Sequence, residues 1–368
     1  MNENRSFGNS SDMGENVKMP AEIPTEMLTV APSQTSVRKR FSVLGFGLAI
    51  YTAVSLTVVA LIIQIVAMII DPNVINNTVF LNIVSSVALY IFALPCLLGV
   101  IYLFKLPSEA PERRKIGVLP LVLIFVVSFG FMYIGSYVGQ GVMWGFSKIV
   151  GYDYSNMLES MIDYDYMWVT FIFMCVVAPI GEEFVFRKLI IDRTHKYGGL
   201  VSILFSGLAF GLMHGNFYQF FYAFALGLVL GYLYYRTGNV WYTVAIHAGI
   251  NFIGSIVTSY LALGTDRMSI AIEKLDVENI DAVMAFWGEY WFVLLAFIVF
   301  FAFMVISMIC AIVLPIVFRK KIVIEGCKPL IARKKALSAA FLNAGVIVMI
   351  LLYAFQFIIN LIPPTIGQ

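Results

Sequence analysis

Long apolar runs, broken only by short polar loops, constrain this chain more than any other feature. They lie near residues 42–70, 79–104, 118–148, from about 167 to the cations Lys188, Arg193 and Lys196, then near 199–214, 217–235, 240–262, 291–317 and 337–361. The runs are continuous rather than alternating, so they do not read as barrel strands. In hydrocarbon a segment must satisfy its own backbone hydrogen bonds, which leaves the α-helix. Of the 368 residues, 60% are hydrophobic and 12% charged, against about 25% charged in a soluble domain. The expected fold is an all-α polytopic membrane helix bundle of about nine transmembrane segments. A soluble enzyme is excluded, and no partner of nucleic-acid type is suggested.

Charge divides the chain further. Residues 1–40 read as a disordered cytoplasmic tail rich in Asn, Ser, Glu, Pro and Thr, without the pattern of a cleavable signal peptide. It ends on Arg38-Lys39-Arg40, which places the N-terminus in the cytoplasm by the positive-inside rule. Lys105–Lys115 and Arg319–Lys335 are basic loops expected on the same side. Asp153, Glu159, Asp163 and Asp165 lie in one expected outer loop, and the acids between Asp266 and Glu289 in another. The expected organisation is N-terminal helices over 41–164, a core over 165–262, an extracytoplasmic loop over 263–290 and C-terminal helices over 291–368. The expected location is a prokaryotic plasma membrane. Cys96, Cys175, Cys310 and Cys327 lack CxxC spacing and read as ordinary thiols. The glycine-rich third run (Gly130, Gly135, Gly139, Gly141, Gly145) predicts close helix packing or a break.

Against this background a few polar side chains stand out. In A-P-I-G-E-E-F-V-F-R, Glu182 and Glu183 sit in an apolar run that is expected to kink at Pro179. Ionised groups at such depth cost about 2.5–3.5 kcal/mol each on insertion scales. Arg187 follows Glu183 by four residues, on the same helix face, which makes Glu182 the freer carboxylate. F-G-L-M-H sets His214 four residues after Phe210, and H-A-G-I-N sets His247 and Asn251 on one face. His195 reads as an interfacial residue. A carboxylate shielded from bulk water is a competent base. Glu182 with His214 could therefore deprotonate a water, while His247 and Asn251 donate to the oxyanion of a tetrahedral intermediate. No nucleophilic serine or cysteine pattern adjoins these motifs.

E-E-F-V-F-R, F-G-L-M-H and H-A-G-I-N resemble the three signature motifs of the CPBP intramembrane protease family: Glu-Glu-x-x-x-Arg, Phe-x-x-x-His and His-x-x-x-Asn. That family includes the type II CAAX prenyl endopeptidases and the bacterial Abi self-immunity proteins. The resemblance covers about residues 165–256, all three motifs complete and in order. It implies a CPBP core in the middle of the bundle and a membrane endopeptidase acting in peptide maturation or bacteriocin self-immunity. Glu182 and His214 would activate water, Glu183 and Arg187 support the site, and His247 and Asn251 form the oxyanion hole.

The expected partners are a peptide or membrane-protein substrate and membrane lipid. No cofactor is expected; zinc held by Glu182, His214 and His247 is the variant to weigh, although no HExxH is present. Two other readings of the same residues are a proton-coupled transporter, since Glu/His relays also mark pumps, and a non-catalytic immunity or scaffold protein. One feature of depth argues against simple convergence. Counted from the cytoplasmic side, His214 lies about 22–24 Å in, whereas Glu182 and His247 are expected near mid-depth.

Overall fold

The computed structural model describes residues 32–156, 165–324 and 329–363. The first 31 residues of the expected tail, Glu159 and Asp163 of the first acidic loop, and Cys327 with Lys328 lie outside the described residues. Among the described residues the architecture is entirely helical. Seven helices are long and apolar enough to span a bilayer: α1 (Gln34–Ile69), α2 (Thr78–Leu103), α3 (Val118–Val150), α4 (Met167–Tyr197), α6 (Phe217–Thr237), α7 (Val240–Glu273) and α8 (Ile280–Val317). The short apolar helix α5 (Gly199–Met213) stands between α4 and α6. The pair α9 (Arg333–Phe341) and α10 (Ala344–Ile359) is bent by 54° at its break. The expected helical membrane bundle is therefore what the chain forms. One of its nine segments is a short helix, and another is a broken one.

Local chemistry sets the ends. Ser33 caps α1, its hydroxyl accepting from the Ser36 amide at 3.2 Å, so Arg38-Lys39-Arg40 sit within the first helical turns rather than before them. Asn216 caps α6 by accepting from the Gln219 amide at 3.0 Å, and Asn343 caps α10 by accepting from the Val346 amide at 3.0 Å. Such caps satisfy amides that have no partner inside the helix. Gly238 ends α6 in the left-handed conformation, its N–H donating to the Tyr234 carbonyl. Within 263–290, α7 continues to Glu273 and α8 starts at Ile280. Asp276 and Glu278 thus lie in the short turn between them, and the other acids of that stretch lie on the two helices.

Packing is built from close helix approaches. A Cβ on Gly135 would fall 2.5 Å from the backbone of Tyr222 on α6, and one on Gly139 2.5 Å from the Phe217 carbonyl. Gly130 meets the backbone of Ser307 on α8 in the same way. The glycines of α3 therefore serve contact rather than a break, while Gly141 and Gly145 face open space. Helix α1 packs on α2, α9 and α10. Its Thr52 hydroxyl lies 2.8 Å from the Tyr353 hydroxyl of α10. The core of the bundle is α4 to α7, with α3 and α8 on one side and α1, α2 and α10 on the other.

Four stretches widen from α-helical to π-helical winding: Ala88–Ala93 in α2, Phe171–Val177 and Phe184–Ile191 in α4, and Phe252–Val257 in α7. Pro179 lies two residues after the first π-helical stretch of α4, at the second position of the α-helical segment Ala178–Glu183. The helix passes through it as one span rather than ending there.

Candidate active site

The depth problem is resolved by the turn at Gly198. Helices α4 and α5 form an antiparallel hairpin about this residue, which has φ +128°. Glu183 stands fifteen residues before it and His214 sixteen after it, so both reach the same level. The contacts confirm the register. The Arg187 Nη1 donates to the Ser206 hydroxyl at 2.9 Å, and the Phe186 and Phe210 rings meet edge to face at 5.3 Å.

Glu183 and Arg187 are both fully buried, with 0% side-chain exposure, and their atoms Oε2 and Nε lie 2.9 Å apart. A second guanidinium nitrogen donates to Glu183 Oε1 at 3.2 Å. Ser206 completes the arginine's surroundings, its own hydroxyl donating a hydrogen bond to the Phe186 carbonyl at 2.7 Å. The guanidinium also sits 5.2 Å from the centre of the Phe210 ring. A buried charge needs such multiple partners, because each unpaired ion would carry a desolvation penalty of several kcal/mol.

His247 on α7 bridges the two glutamates. Its Nδ1 lies 3.1 Å from Glu183 Oε1, and its Nε2 lies 3.7 Å from Glu182 Oε2. Since a carboxylate oxygen accepts, Nδ1 carries a proton and Nε2 is the atom turned towards Glu182. Glu182 itself makes no contact with Arg187 comparable to that of Glu183 and keeps 13% side-chain exposure. It is the freer carboxylate, as its position on the helix predicts. The set comprises two carboxylates, one guanidinium and one imidazole.

His214 approaches from the end of α5. Its Nδ1 lies 2.9 Å from the Phe210 carbonyl; the carbonyl only accepts, so Nδ1 donates, which in a neutral ring leaves Nε2 as an acceptor. The ring packs edge to face on Phe210 at 5.2 Å, and His247 does the same at 5.6 Å. Phe210 is thus the common support of Arg187, His214 and His247. Among the described residues no hydrogen bond or ion pair joins Glu182 to His214 directly. Asn251 is placed one turn from His247, and its Nδ2 donates to the Met174 carbonyl at 2.7 Å. That carbonyl belongs to the π-helical stretch Phe171–Val177 of α4. One of the two amide hydrogens of Asn251 is therefore engaged with α4.

His195 is remote from this set. It is buried at the end of α4, its Nδ1 3.2 Å from the Ile191 carbonyl. Several residues that sequence motifs do not reveal complete the site. Ser206 lies one turn before Phe210 and two before His214, a stripe that helical spacing could have disclosed. Tyr51 of α1, Tyr90 of α2 and Tyr222 of α6 lie within electrostatic range of the Glu182 carboxylate. The Tyr90 ring packs directly on Gly181, leaving no room for a Cβ there. No short-range pattern connects these tyrosines to Glu182.

A metal fits this arrangement poorly. Among the described residues no group of three or more His, Cys, Asp or Glu side chains gathers as metal ligands would. Glu182, His214 and His247 do not form such a group, so no chemical step is routed through zinc.

Comparison with known proteins agrees with the motifs. Residues 165–253 match the family model described as "Type II CAAX prenyl endopeptidase Rce1-like". This stretch contains α4, α5, α6 and the first part of α7, and hence every residue of the motif set. The chain is also similar to "Putative membrane peptidase YdiL" of Bacillus subtilis (strain 168), with 22% identity over 212 residues, covering 56% of this chain and 84% of that protein. No solved structure matches the chain. The resemblance read from the three motifs is borne out, and it suggests a membrane endopeptidase embedded in an integral membrane bundle.

Proposed function

We propose that the chain is an intramembrane endopeptidase that hydrolyses a peptide bond by activated water, with Glu182 as the base. The observation that carries this reading is the Glu182–His247–Glu183–Arg187 array. If His247 were neutral and Glu182 ionised, lone pairs would face each other across 3.7 Å. In the proposed state the pair holds one proton between them. With that proton on His247, the array has two negative and two positive charges, which cancel in a low-dielectric interior. Glu182 is then an ionised base, and His247 presents an Nε2–H.

In this state Glu182 takes a proton from water as the oxygen attacks the scissile carbonyl. The acceptor Nε2 of His214 orients that water. Developing charge on the carbonyl oxygen is met by the Nε2–H of His247, with the uncommitted amide hydrogen of Asn251 as a second donor. Glu182 returns its proton to the leaving amine, so the base also serves as the acid. Glu183, anchored by Arg187, orients His247 and stabilises its charged form, as a carboxylate does for a catalytic histidine in hydrolases.

The substrate class is a peptide or membrane protein presented at the bilayer. A cytoplasmic N-terminus in a prokaryotic plasma membrane is supported by Arg38-Lys39-Arg40 at the start of α1 and by the basic loops after α2 and α8. The test compares peptide termini in host cells carrying wild type or Glu182→Gln. Termini that disappear with the variant are expected. Identical termini, with both proteins equally abundant, would overturn proteolysis.

A further inference from the structure

A cavity of about 450 Å³ lies between the first halves of α3 and α5, the second half of α6 and the end of α8. Sites for small molecules occupy about 300–1,000 Å³, so the volume suits a ligand. None of the motif residues lines it. Apart from the Tyr232 hydroxyl, every side chain in its wall is hydrocarbon, and that hydroxyl is hydrogen-bonded to the Val323 backbone. A polypeptide could not satisfy its N–H and C=O groups against such walls. An alkyl chain has no such groups to satisfy.

The four helices contribute the parts that adjoin the basic loops, on the side expected to face the cytoplasm. From Leu123 to Phe131 of α3 the lining covers about 12 Å of helix, most of one leaflet's share of a hydrocarbon core about 30 Å thick. After α8 the chain turns back over this end. The Lys321 and Ile322 amides donate to the Phe318 carbonyl at 2.7 and 3.1 Å, and the Ile324 carbonyl approaches Gly199 so closely that a Cβ there would collide with it. Phe318, Ile322 and Ile324 of this turn complete the wall, while Arg319, Lys320 and Lys321 are exposed. The Lys321 ammonium stands 5.4 Å from the centre of the Phe318 ring. Arg236, one turn after Tyr232 on α6, lies within electrostatic range of the Tyr232 hydroxyl. Among the described residues, none of these four cations is in an ion pair.

We propose that this cavity binds one acyl chain of an anionic glycerophospholipid from the cytoplasmic leaflet, with Lys321 and its neighbouring cations meeting the charged headgroup. A hydrocarbon wall nearly one leaflet deep takes the chain, and unpaired cations at its outer end take the charge. The inference is independent of the hydrolytic reading. It gives a lipid-binding role to α3, α8 and the turn after α8, all of which lie outside the matched residues 165–253.

The test reconstitutes the full-length protein in phosphatidylcholine vesicles with a trace of phosphatidylglycerol that carries a photoreactive diazirine in one acyl chain. Adducts are mapped by peptide mass spectrometry and compared with those from phosphatidylcholine bearing the same group. Phosphatidylglycerol adducts are expected to concentrate in 123–131 and 200–204, to exceed those of phosphatidylcholine there, and to fall when unlabelled phosphatidylglycerol is added. Ile306 on α8, which is exposed and outside the lining, should be labelled equally by both lipids. Lys320→Gln combined with Lys321→Gln should weaken competition by phosphatidylglycerol about 25-fold, about fivefold for each cation near an anionic surface. Ala225→Phe puts a ring into the cavity and should remove its adducts while sparing those at Ile306. Equal labelling of the cavity by the two lipids, adducts spread without enrichment over the outer helix faces, or unchanged competition in the charge variant would overturn the assignment. So would cavity adducts that persist in a folded Ala225→Phe protein. The charge variant alters only exposed side chains, so it decides the matter even if Ala225→Phe does not fold.

Discussion

Replacing Arg187 by methionine tests whether the array is an energetic unit or a set of neighbours. Arg187 holds Glu183 through contacts of 2.9 and 3.2 Å, binds Ser206 at 2.9 Å and covers Phe210. Both ionic partners have 0% side-chain exposure, so no water takes over when one is removed. Breaking a buried pair by deleting one partner costs about 3–5 kcal/mol, because the other charge stays buried. Methionine keeps most of the aliphatic volume, so the loss isolates charge rather than packing. Substituting Glu183→Gln as well removes the stranded carboxylate, and most of the loss should be regained in the double variant. The assay is thermal unfolding of the purified proteins in one detergent, run as a double-mutant cycle. A single Arg187→Met variant that melts with wild type, or a double variant that loses the sum of both singles, would refute the reasoning. Cleavage should be lost in all three variants, because His247 is no longer held by an ionised Glu183.

Two further outcomes follow from the packing. Gly135→Val should destabilise by about 1–3 kcal/mol, since its Cβ would meet the Tyr222 backbone, whereas Gly141→Val faces open space and should be neutral; equal melting of the two would contradict the α3–α6 contact. Asn251→Ala leaves the Met174 carbonyl without its 2.7 Å donor and should cost about 1–3 kcal/mol as well as cleavage. A variant of unchanged stability in the same melting assay would mean that this bond does not tie α7 to α4.

The motifs exposed the chemistry of the site more readily than its depth. Glu182, Glu183, Arg187, His214, His247 and Asn251 are legible because a charged or amide side chain in an apolar run is rare enough to notice. The spacing of Glu183 and Arg187 also predicts their pairing. Measured against the bilayer segment by segment, His214 falls at a different depth from Glu182; measured from Gly198, which α4 and α5 share, its level matches that of Glu183. The α3 glycines left packing and breakage equally open, and only the approach of Tyr222 and Ser307 decides for packing. The partner of Asn251 was hidden for another reason. A backbone carbonyl that serves as an acceptor has no signature in residue type. The tyrosines around Glu182 come from three separate helices, and their aromatic character is common in any membrane span.

The widened windings bear on how such a chain can vary. A π-helical turn amounts to an α-helix with an additional residue accommodated in place. The stretch before Pro179, the one carrying Arg187 and the one after Asn251 all flank or include residues of the three motifs. A one-residue deletion inside any of them could relax the local winding to α without shortening the span by a full turn. Because the additional residue is accommodated in place, that relaxation would leave the two flanking parts of the helix near their present rotation. The same deletion in an α-helical stretch, such as His247 to Asn251, would rotate one side by about 100° relative to the other. Related chains that retain the three motifs should therefore tolerate one-residue length differences within Phe171–Val177 and Phe252–Val257 as well as in the loops.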